Sequence, residues 1–195
     1  MADSTANNTS DQDPALPFEY HPSLQEYLVT EKEYLRRNPQ YHVMSTGIAV
    51  FNKEGKLLLV QRAATEKAFP LLWEIPGGKV DEPDESILHA AVRELKEEAG
   101  LDATRIVRKV GHFEFGIMRR TGREEKWIKQ IFEMEVQNPE AVVLDPIEHQ
   151  EYLFASEEEI VKEQAGDVTL KYITPDNKWI KLEAFRHRRE TAASS

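Results

Sequence analysis

The alternation of apolar and polar residues predicts several short strands. Apolar runs bounded by turn residues predict strands at residues 43–51, 56–62, 73–75, 106–115 and 127–136. The first two are separated only by the polar segment 52–55, which is typical of a turn, so we expect them to form a hairpin. The third ends at Pro76-Gly77-Gly78, a sequence that stops an extended run.

Segments with helical spacing of apolar residues lie between and around these strands. The predicted helices span residues 22–37, 84–99, 157–164 and 176–190. Gly100 stands where a left-handed cap would end the second helix. On the last helix, Trp179, Leu182 and Phe185 are expected to face inward. Strands mixed with helices predict an α/β fold, a sandwich around a mixed β-sheet.

The predicted helix at residues 84–99 has two distinct faces. Its apolar stripe consists of Leu88, Ala91, Val92, Leu95 and Ala99. Glu94, Glu97 and Glu98 fall together on the adjoining arc, because residues three and four apart share a helix face. Like charges at this spacing repel each other, and a hard divalent cation such as Mg²⁺ would offset the repulsion. A solvated acidic face is the alternative interpretation.

Composition divides the chain into four segments. Residues 1–16 are rich in Ser, Thr, Asn and Asp, and we expect them to be disordered. Residues 17–41 form a predicted helical extension, residues 42–190 the main domain, and residues 191–195 a disordered C-terminal tail. The sequence leaves open whether the extension packs on the main domain or on a partner.

The chain is acidic, with a formal net charge of −10 at pH 7. This balance argues against a nucleic-acid partner, since a phosphate backbone selects clustered Lys and Arg. An acidic site can still hold a polyphosphate when divalent metals lie between the two. The chain has no cysteine, which excludes disulfides and thiolate chemistry. Since no segment has the composition of a signal peptide or a membrane span, we expect a cytoplasmic protein that does not bind membranes.

The segment from Gly77 to Leu101 resembles the Nudix box. Its second half, Arg93-Glu94-Leu95-Lys96-Glu97-Glu98-Ala99-Gly100-Leu101, matches the pattern without a mismatch, and Glu85 precedes it with seven residues between, as the pattern requires. The loop after Gly78 is one residue longer than the pattern, which makes Asp84 the alternative to Glu85. The resemblance is to MutT-like members of the Nudix hydrolase superfamily, and it implies an α/β/α sandwich around a mixed β-sheet.

The resemblance also implies a metal site. Glu94, Glu97 and Glu98 match the metal ligands of the family, and Arg93 matches the arginine that orients them. The implied cofactor is Mg²⁺ or Mn²⁺. With Glu97, Glu98 and Arg93 taking part in catalysis, the expected reaction is hydrolysis of a phosphoric anhydride bond.

A carboxylate outside the box often completes the site in this family, on a late loop before an aromatic residue. Aligning Phe154 with that aromatic residue places Glu148 at the position of an additional ligand and catalytic base. Glu151 is the alternative to Glu148. His149 and His112 are expected to be surface or core residues rather than catalytic ones.

Four further residues are candidates for substrate binding. Gly77 and Gly78 would let backbone N–H groups approach a phosphate closely. Arg62 is a candidate contact to a phosphate or ribose, and a surface strand arginine is the alternative. Asn177 resembles an asparagine that recognises the purine edge in MutT-like enzymes, and a helix N-terminal residue is the alternative.

The expected substrate is a nucleoside di- or triphosphate, including oxidised nucleotides. A non-nucleotide diphosphate, such as an isoprenyl or inositol compound, and an ADP-ribose-type dinucleotide stay open as alternatives. A non-catalytic module that binds a ligand or a protein is the alternative from another class. The sequence is compatible with a monomer or a homodimer that acts on a small phosphorylated molecule.

Overall fold

A computed structural model describes residues 17–194 of the chain, so the tail expected at residues 1–16 lies outside the described residues. The strands are β1 (Glu19–Tyr20), β2 (Val43–Val50), β3 (Leu57–Arg62), β4 (Trp73–Glu74), β5 (Ala103–Met118), β6 (Glu124–Val136), β7 (His149–Ala155), β8 (Gln164–Ala165) and β9 (Val168–Thr169). The helices are a 3-10 helix at Pro22–Tyr27, α1 (Glu31–Arg37), α2 (Ile87–Ala99), α3 (Glu157–Lys162) and α4 (Pro175–Ser194).

The larger sheet is mixed, with the strand order β1-β5-β6-β2. Strands β5 and β6 form a long antiparallel hairpin, and β1 and β2 run parallel to their neighbours on either side. A second, antiparallel sheet has the order β4-β3-β7. The fold is therefore a mixed α/β fold built around a mixed sheet, as predicted.

The predicted hairpin of the first two main-domain strands is wrong. Strands β2 and β3 lie in different sheets and share one isolated bridge, between Phe51 and Leu57. One edge of the buried strand β2 pairs with β6 over eight residue pairs. The physical reason is that the loop after β4 occupies the other edge, where the backbone N–H groups of Thr46 and Ile48 donate to the carbonyls of Gly78 and Pro76.

Side chains of β2 alternate between two apolar layers. Met44, Ile48 and Val50 belong to the layer that contains the apolar face of α2, whereas Ala49 and Phe51 belong to the layer that contains α4. The mixed sheet therefore lies between the two helices. This arrangement is the α/β/α sandwich that the sequence led us to expect.

Helix α4 differs from its prediction in the direction of Trp179 and in its length. Trp179 is 48% exposed, so its predicted inward orientation is wrong, while Ile180, Ala184 and Phe185 are buried. The helix continues to Ser194, past residue 190 where the prediction ended it. Among the described residues, no helix combines the length and apolar composition needed to cross a bilayer.

The N-terminal extension packs on the main domain. The predicted helix at residues 22–37 is divided into the 3-10 helix and α1, and Thr30 caps α1 through its side chain. Leu24 and Tyr27 are buried in the same layer as α2. Strand β1 pairs with β5, Glu19 opposite Arg105. The extension thus contributes a strand and part of the core.

Candidate active site

Helix α2 begins later than its apolar pattern predicted. The side chain of Ser86 caps the helix by accepting a hydrogen bond from the backbone N–H of His89, and the first helical residue is Ile87. The helix ends at Gly100, which has a φ of 68° in the left-handed region, as predicted. The late start leaves Asp84 in the preceding loop, where its side chain is free to turn back toward the helix.

Arg93 binds several carboxylates on and beside the acidic face of α2. Its guanidinium donates two hydrogen bonds of 2.8 Å to the carboxylate of Asp84, in a bidentate pair. Its Nη1 also donates to Glu94 and Glu97, at 2.8 Å each. Glu85, in contrast, is 82% exposed and reaches only His89, at 3.7 Å. Asp84, rather than Glu85, is therefore the carboxylate that holds the Arg93 guanidinium in position.

The three glutamates of α2 differ in exposure. Glu94 and Glu98 are buried, whereas the side chain of Glu97 is 58% exposed. Burial raises the pKa of Glu94, and Arg93 opposes this effect. The shared arc predicted from the helical wheel holds, but only Glu94 and Glu98 point into the protein.

The Gly77–Gly78 loop packs directly against the free edge of β2. The backbone N–H of Thr46 donates to the carbonyl of Gly78 at 2.8 Å, and Ile48 donates to Pro76 at 2.8 Å. A Cβ on Gly77, which has a φ of 138°, would lie 2.3 Å from the Thr46 carbonyl oxygen. A Cβ on Gly78 would lie 2.5 Å from a carboxylate oxygen of Glu94. Gly77 is therefore needed for this close packing of loop and strand, whereas a side chain at Gly78 would displace the Glu94 carboxylate.

Glu98 is held against the same loop. Its Oε2 accepts a hydrogen bond of 2.6 Å from the backbone N–H of Gly77. Burial raises the pKa of Glu98 to about 7, while His149 and the Gly77 N–H partly oppose the increase. A carboxylate this buried, beside a loop that leads to the surface, fits a role as a cation ligand.

Glu98, Glu148 and His149 come together in space. Each offers a ligand atom, and these atoms all lie within 4.8 Å of one another. His149 is buried, and neither ring nitrogen has a hydrogen-bond partner among the described residues. The nearest carboxylate oxygen of Glu74 is 3.7 Å away. Buried ring nitrogens without partners, facing two carboxylates, fit a divalent metal ion.

A cleft of about 560 Å³ adjoins the loop that binds Glu98. Its lining includes Gly77 and Gly78, and an aromatic wall formed by Phe113, Phe115 and Trp127. The rings of Phe115 and Trp127 stack with their centres 5.6 Å apart. Phe69, from the loop between β3 and β4, also lines the cleft. A planar apolar ring and an attached anion would match these surroundings.

Asn177 lies in the first turn of α4 and also lines the cleft. Its Oδ1 accepts a hydrogen bond from the buried Lys181, which also donates to the Asn177 carbonyl oxygen at 2.9 Å. The Asn177 amide oxygen therefore has one of its two lone pairs engaged within the protein. Its place in the first turn fits the interpretation as a helix N-terminal residue, and recognition of a purine edge by Asn177 stays a prediction.

Arg62 lines the cleft but is heavily bound within the protein. Its guanidinium donates to Glu74 and Glu66 at 2.7 Å each, and its Nε donates to the carbonyl of Ala68 at 2.8 Å. These bonds tie the loop that carries Phe69 to strand β3. A contact from Arg62 to substrate stays a prediction.

The NUDIX domain family model matches residues 41–176, well over half of the chain. The chain belongs to the Nudix hydrolase family. It is 54% identical over 56 residues to the CTP pyrophosphohydrolase of Escherichia coli (strain K12), covering 29% of this chain and 40% of that protein. It is 43% identical over 67 residues to the putative 8-oxo-dGTP diphosphatase of Bacillus subtilis (strain 168), covering 34% and 40%.

Other Nudix relatives differ in the molecules that their names describe. The m7GpppN-mRNA hydrolase of Danio rerio is 46% identical over 61 residues, 30% of this chain and 20% of that protein. The matched segments thus span less than half the length of these curated relatives. Among solved structures, the MutT protein from Methanosarcina mazei Go1 is similar with a TM-score of 0.57 and 27% identity, covering 77% of this chain and 96% of that one.

Within the Nudix box, the structure shows where the extra residue lies. It falls between Gly78 and the helix, and the side chain that meets Arg93 is that of Asp84 rather than Glu85. Three residues of the site were not selected from the sequence: Lys129, which lines the cleft, His149, which is grouped with Glu98, and Lys181, which binds Asn177. Lys129 lies on the face of β6 that lines the cleft. The residue pattern of the strand alone does not tell which of the two strand faces meets a cavity.

Proposed function

We propose that this Nudix protein is a Mg²⁺-dependent pyrophosphohydrolase that cleaves a diphosphate linkage in a nucleoside triphosphate-like substrate. The observation that carries the proposal is the position of the carboxylates. Glu98, which is grouped with Glu148, binds the N–H of Gly77, and Gly77 lines a cleft whose other parts are an aromatic wall and the amide of Asn177. A nucleotide needs all three: a surface for its base, a polar group for the base edge, and a cation site for its phosphates.

Two curated relatives support the nucleotide as the substrate class. Their names describe enzymes that act on CTP and on 8-oxo-dGTP, both nucleoside triphosphates. We extend this class of substrate to the present chain on the strength of the aromatic wall. A base stacked on Phe115 would share the cleft with the first turn of α4.

The residues of the chain divide the work. Glu94, Glu97, Glu98 and Glu148 would hold Mg²⁺ or Mn²⁺, and Arg93 orients two of these carboxylates by its hydrogen bonds. A bound divalent ion would neutralise phosphate charge and lower the pKa of a bound water. Glu148, which is exposed, would accept the proton of the attacking water. The Gly77–Gly78 loop lines the cleft and would contact a phosphate there through backbone groups other than the Gly77 N–H, which Glu98 binds.

Product release across a substrate panel tests the proposal. Phosphate and pyrophosphate are measured with nucleoside triphosphates, oxidised nucleotides, dinucleotides, capped RNA and non-nucleotide diphosphates, with and without EDTA. We expect metal-dependent turnover of nucleoside triphosphates that falls at least ~100-fold in Glu98→Gln, a typical loss for a disturbed metal site. Gln retains an acceptor for the Gly77 N–H, so the fold should survive. Glu85→Gln, an exposed change beside the same helix, is the matched control.

Several outcomes would contradict the proposal. Binding of a panel compound without turnover would favour the non-catalytic module, and turnover of only isoprenyl, inositol or ADP-ribose-type compounds would favour those substrates. A Glu148→Gln variant with an unchanged rate would remove Glu148 from the mechanism, and Glu151→Gln would then be tried. Turnover of capped RNA would contradict the expected lack of a nucleic-acid partner.

We further propose that the protein acts in the cytoplasm as a monomer or homodimer. The burial of Leu24 and Tyr27 in the core removes these two side chains from any interface between copies. Cell fractionation and light scattering of the full chain would test the two statements. Recovery in a membrane fraction, or an assembly larger than a dimer, would contradict them.

A further inference from the structure

Lys129 is a buried cation without a close counter-ion. The residue is 9% exposed and lies on β6, where it pairs across the sheet with Ser45 and Phe113. Its Nζ has one hydrogen bond, a long one of 3.4 Å to the carbonyl oxygen of Gly77. Within the described part of the chain, no carboxylate oxygen lies within ion-pair distance of this nitrogen. Burying an ammonium so poorly satisfied is costly, which indicates that another partner completes its shell.

The nearby carboxylates are committed elsewhere. Glu74 is bound by Arg62 at 2.7 Å and faces His149 at 3.7 Å. Glu98 accepts the Gly77 N–H at 2.6 Å and belongs to the cluster with Glu148. Both acids attract Lys129 over a longer distance, but neither contacts it.

The neighbouring residues leave room for the lysine to reach the cleft. Gly47 lies beneath its side chain, and a Cβ there would stand 3.0 Å from the Lys129 Cε. The side chain lines the same cleft as the Gly77–Gly78 loop and Asn177. Gly77 contacts Lys129 through its carbonyl oxygen and Glu98 through its N–H. The Gly77 backbone therefore lies between the Lys129 ammonium and the carboxylate cluster.

We propose that Lys129 binds a phosphate oxygen of the ligand, where the polyphosphate would pass from the aromatic wall toward the carboxylates of Glu98 and Glu148. This inference rests on the proposed function and deepens it, because it assigns the anionic part of the substrate to a particular side chain. A phosphate oxygen would supply the missing charged acceptor, and a hydrogen bond between two charged groups is stronger than the present one to a carbonyl. Mg²⁺ and Lys129 would then approach the polyphosphate from two sides.

Binding of methylenediphosphonate with Mg²⁺, measured by calorimetry, tests the assignment without turnover. This analogue carries two phosphonate groups joined by a carbon that hydrolysis does not cleave. We expect Lys129→Met to bind the analogue with an affinity about tenfold lower or lower still, since a lost charge-assisted hydrogen bond has roughly that effect. Lys129→Arg should retain part of the affinity. Lys126→Met, an exposed change on the same strand, should bind like the wild type.

The same variants separate a phosphate contact from a structural role. If Lys129 served only to balance charge inside the fold, Lys129→Met would unfold at lower temperature and retain its affinity. Unchanged affinity in a folded Lys129→Met protein, or no binding by the wild type, would overturn the inference. If Lys129→Met does not fold, Lys129→Gln and Lys129→Arg provide the comparison. Loss of binding in Lys129→Met while the wild type hydrolyses nothing would retain the anion site and refute the proposed function instead.

Discussion

Lys181 is expected to make the stability of the protein rise with pH in the alkaline range. The residue is fully buried, with its ammonium 4.6 Å from the ring centre of Tyr172. Burial lowers its pKa from 10.5 to about 7, and attraction by Glu74 and repulsion by Lys129 are smaller influences. The unfolded chain binds a proton at this side chain up to pH 10.5, whereas the folded chain releases it above about pH 7.

The magnitude follows from the two pKa values. Below about pH 7 both states are charged, and the cost to the folded state is roughly 5 kcal/mol, at ~1.4 kcal/mol per pH unit between 10.5 and about 7. Between these values the unfolded state binds more protons, so rising pH favours the folded state. From about pH 8 to about pH 10 the gain should be roughly 2–3 kcal/mol.

Urea unfolding of the wild type and of Lys181→Met, followed by tryptophan fluorescence, measures this gain. Methionine has a similar length and no charge, so the difference in the free energy of unfolding between the two proteins isolates the lysine. We expect that difference to shift in favour of the wild type by roughly 2–3 kcal/mol between about pH 8 and about pH 10. The hydrogen bonds lost to Asn177 change its absolute value but not its dependence on pH. A difference that is constant over this range would refute the reasoning, because Lys181 would then be charged in the fold.

Two further predictions concern the helix that carries the carboxylates. Asp84→Asn should lower the melting temperature and reduce kcat/KM by about tenfold or more, because it weakens the bidentate pair with Arg93. Glu85→Gln should change neither quantity. Equal effects of the two variants in thermal unfolding and kinetics would contradict the structural assignment. Gly78→Ala should reduce kcat/KM by about tenfold or more with the fold retained, since the added Cβ would displace the Glu94 carboxylate. Wild-type kinetics together with an unchanged circular dichroism spectrum would contradict this prediction and show that the loop adapts.

Local sequence patterns determined the elements that carry the chemistry. The 3.6-residue period of α2 predicted which residues share a face, because side-chain direction along a helix depends on neighbours one turn away. Gly100 was predicted to be a left-handed cap for a similarly local reason. The Nudix box covers residues that are close together in the chain, so the family can be inferred from the amino-acid sequence alone.

Contacts between distant segments were decided by the tertiary structure. Strand β2 pairs with β6, some 80 residues further along, rather than with its neighbour β3. Since burial of both faces of β2 depends on every layer around it, no local pattern distinguishes this pairing from a hairpin. The exposure of Trp179 has the same origin: periodicity gives the relative directions of side chains on α4 but not which direction meets the core.

The candidate site divides along the same line. The sequence by itself determined the glutamate-bearing helix, its glycine loop and the family to which they belong. The tertiary structure alone decided that Asp84 meets Arg93, that His149 joins Glu98, and that Lys129 reaches the cleft. These contacts depend on how separate strands and loops pack against one another, so their chemistry becomes visible only when the chain is folded.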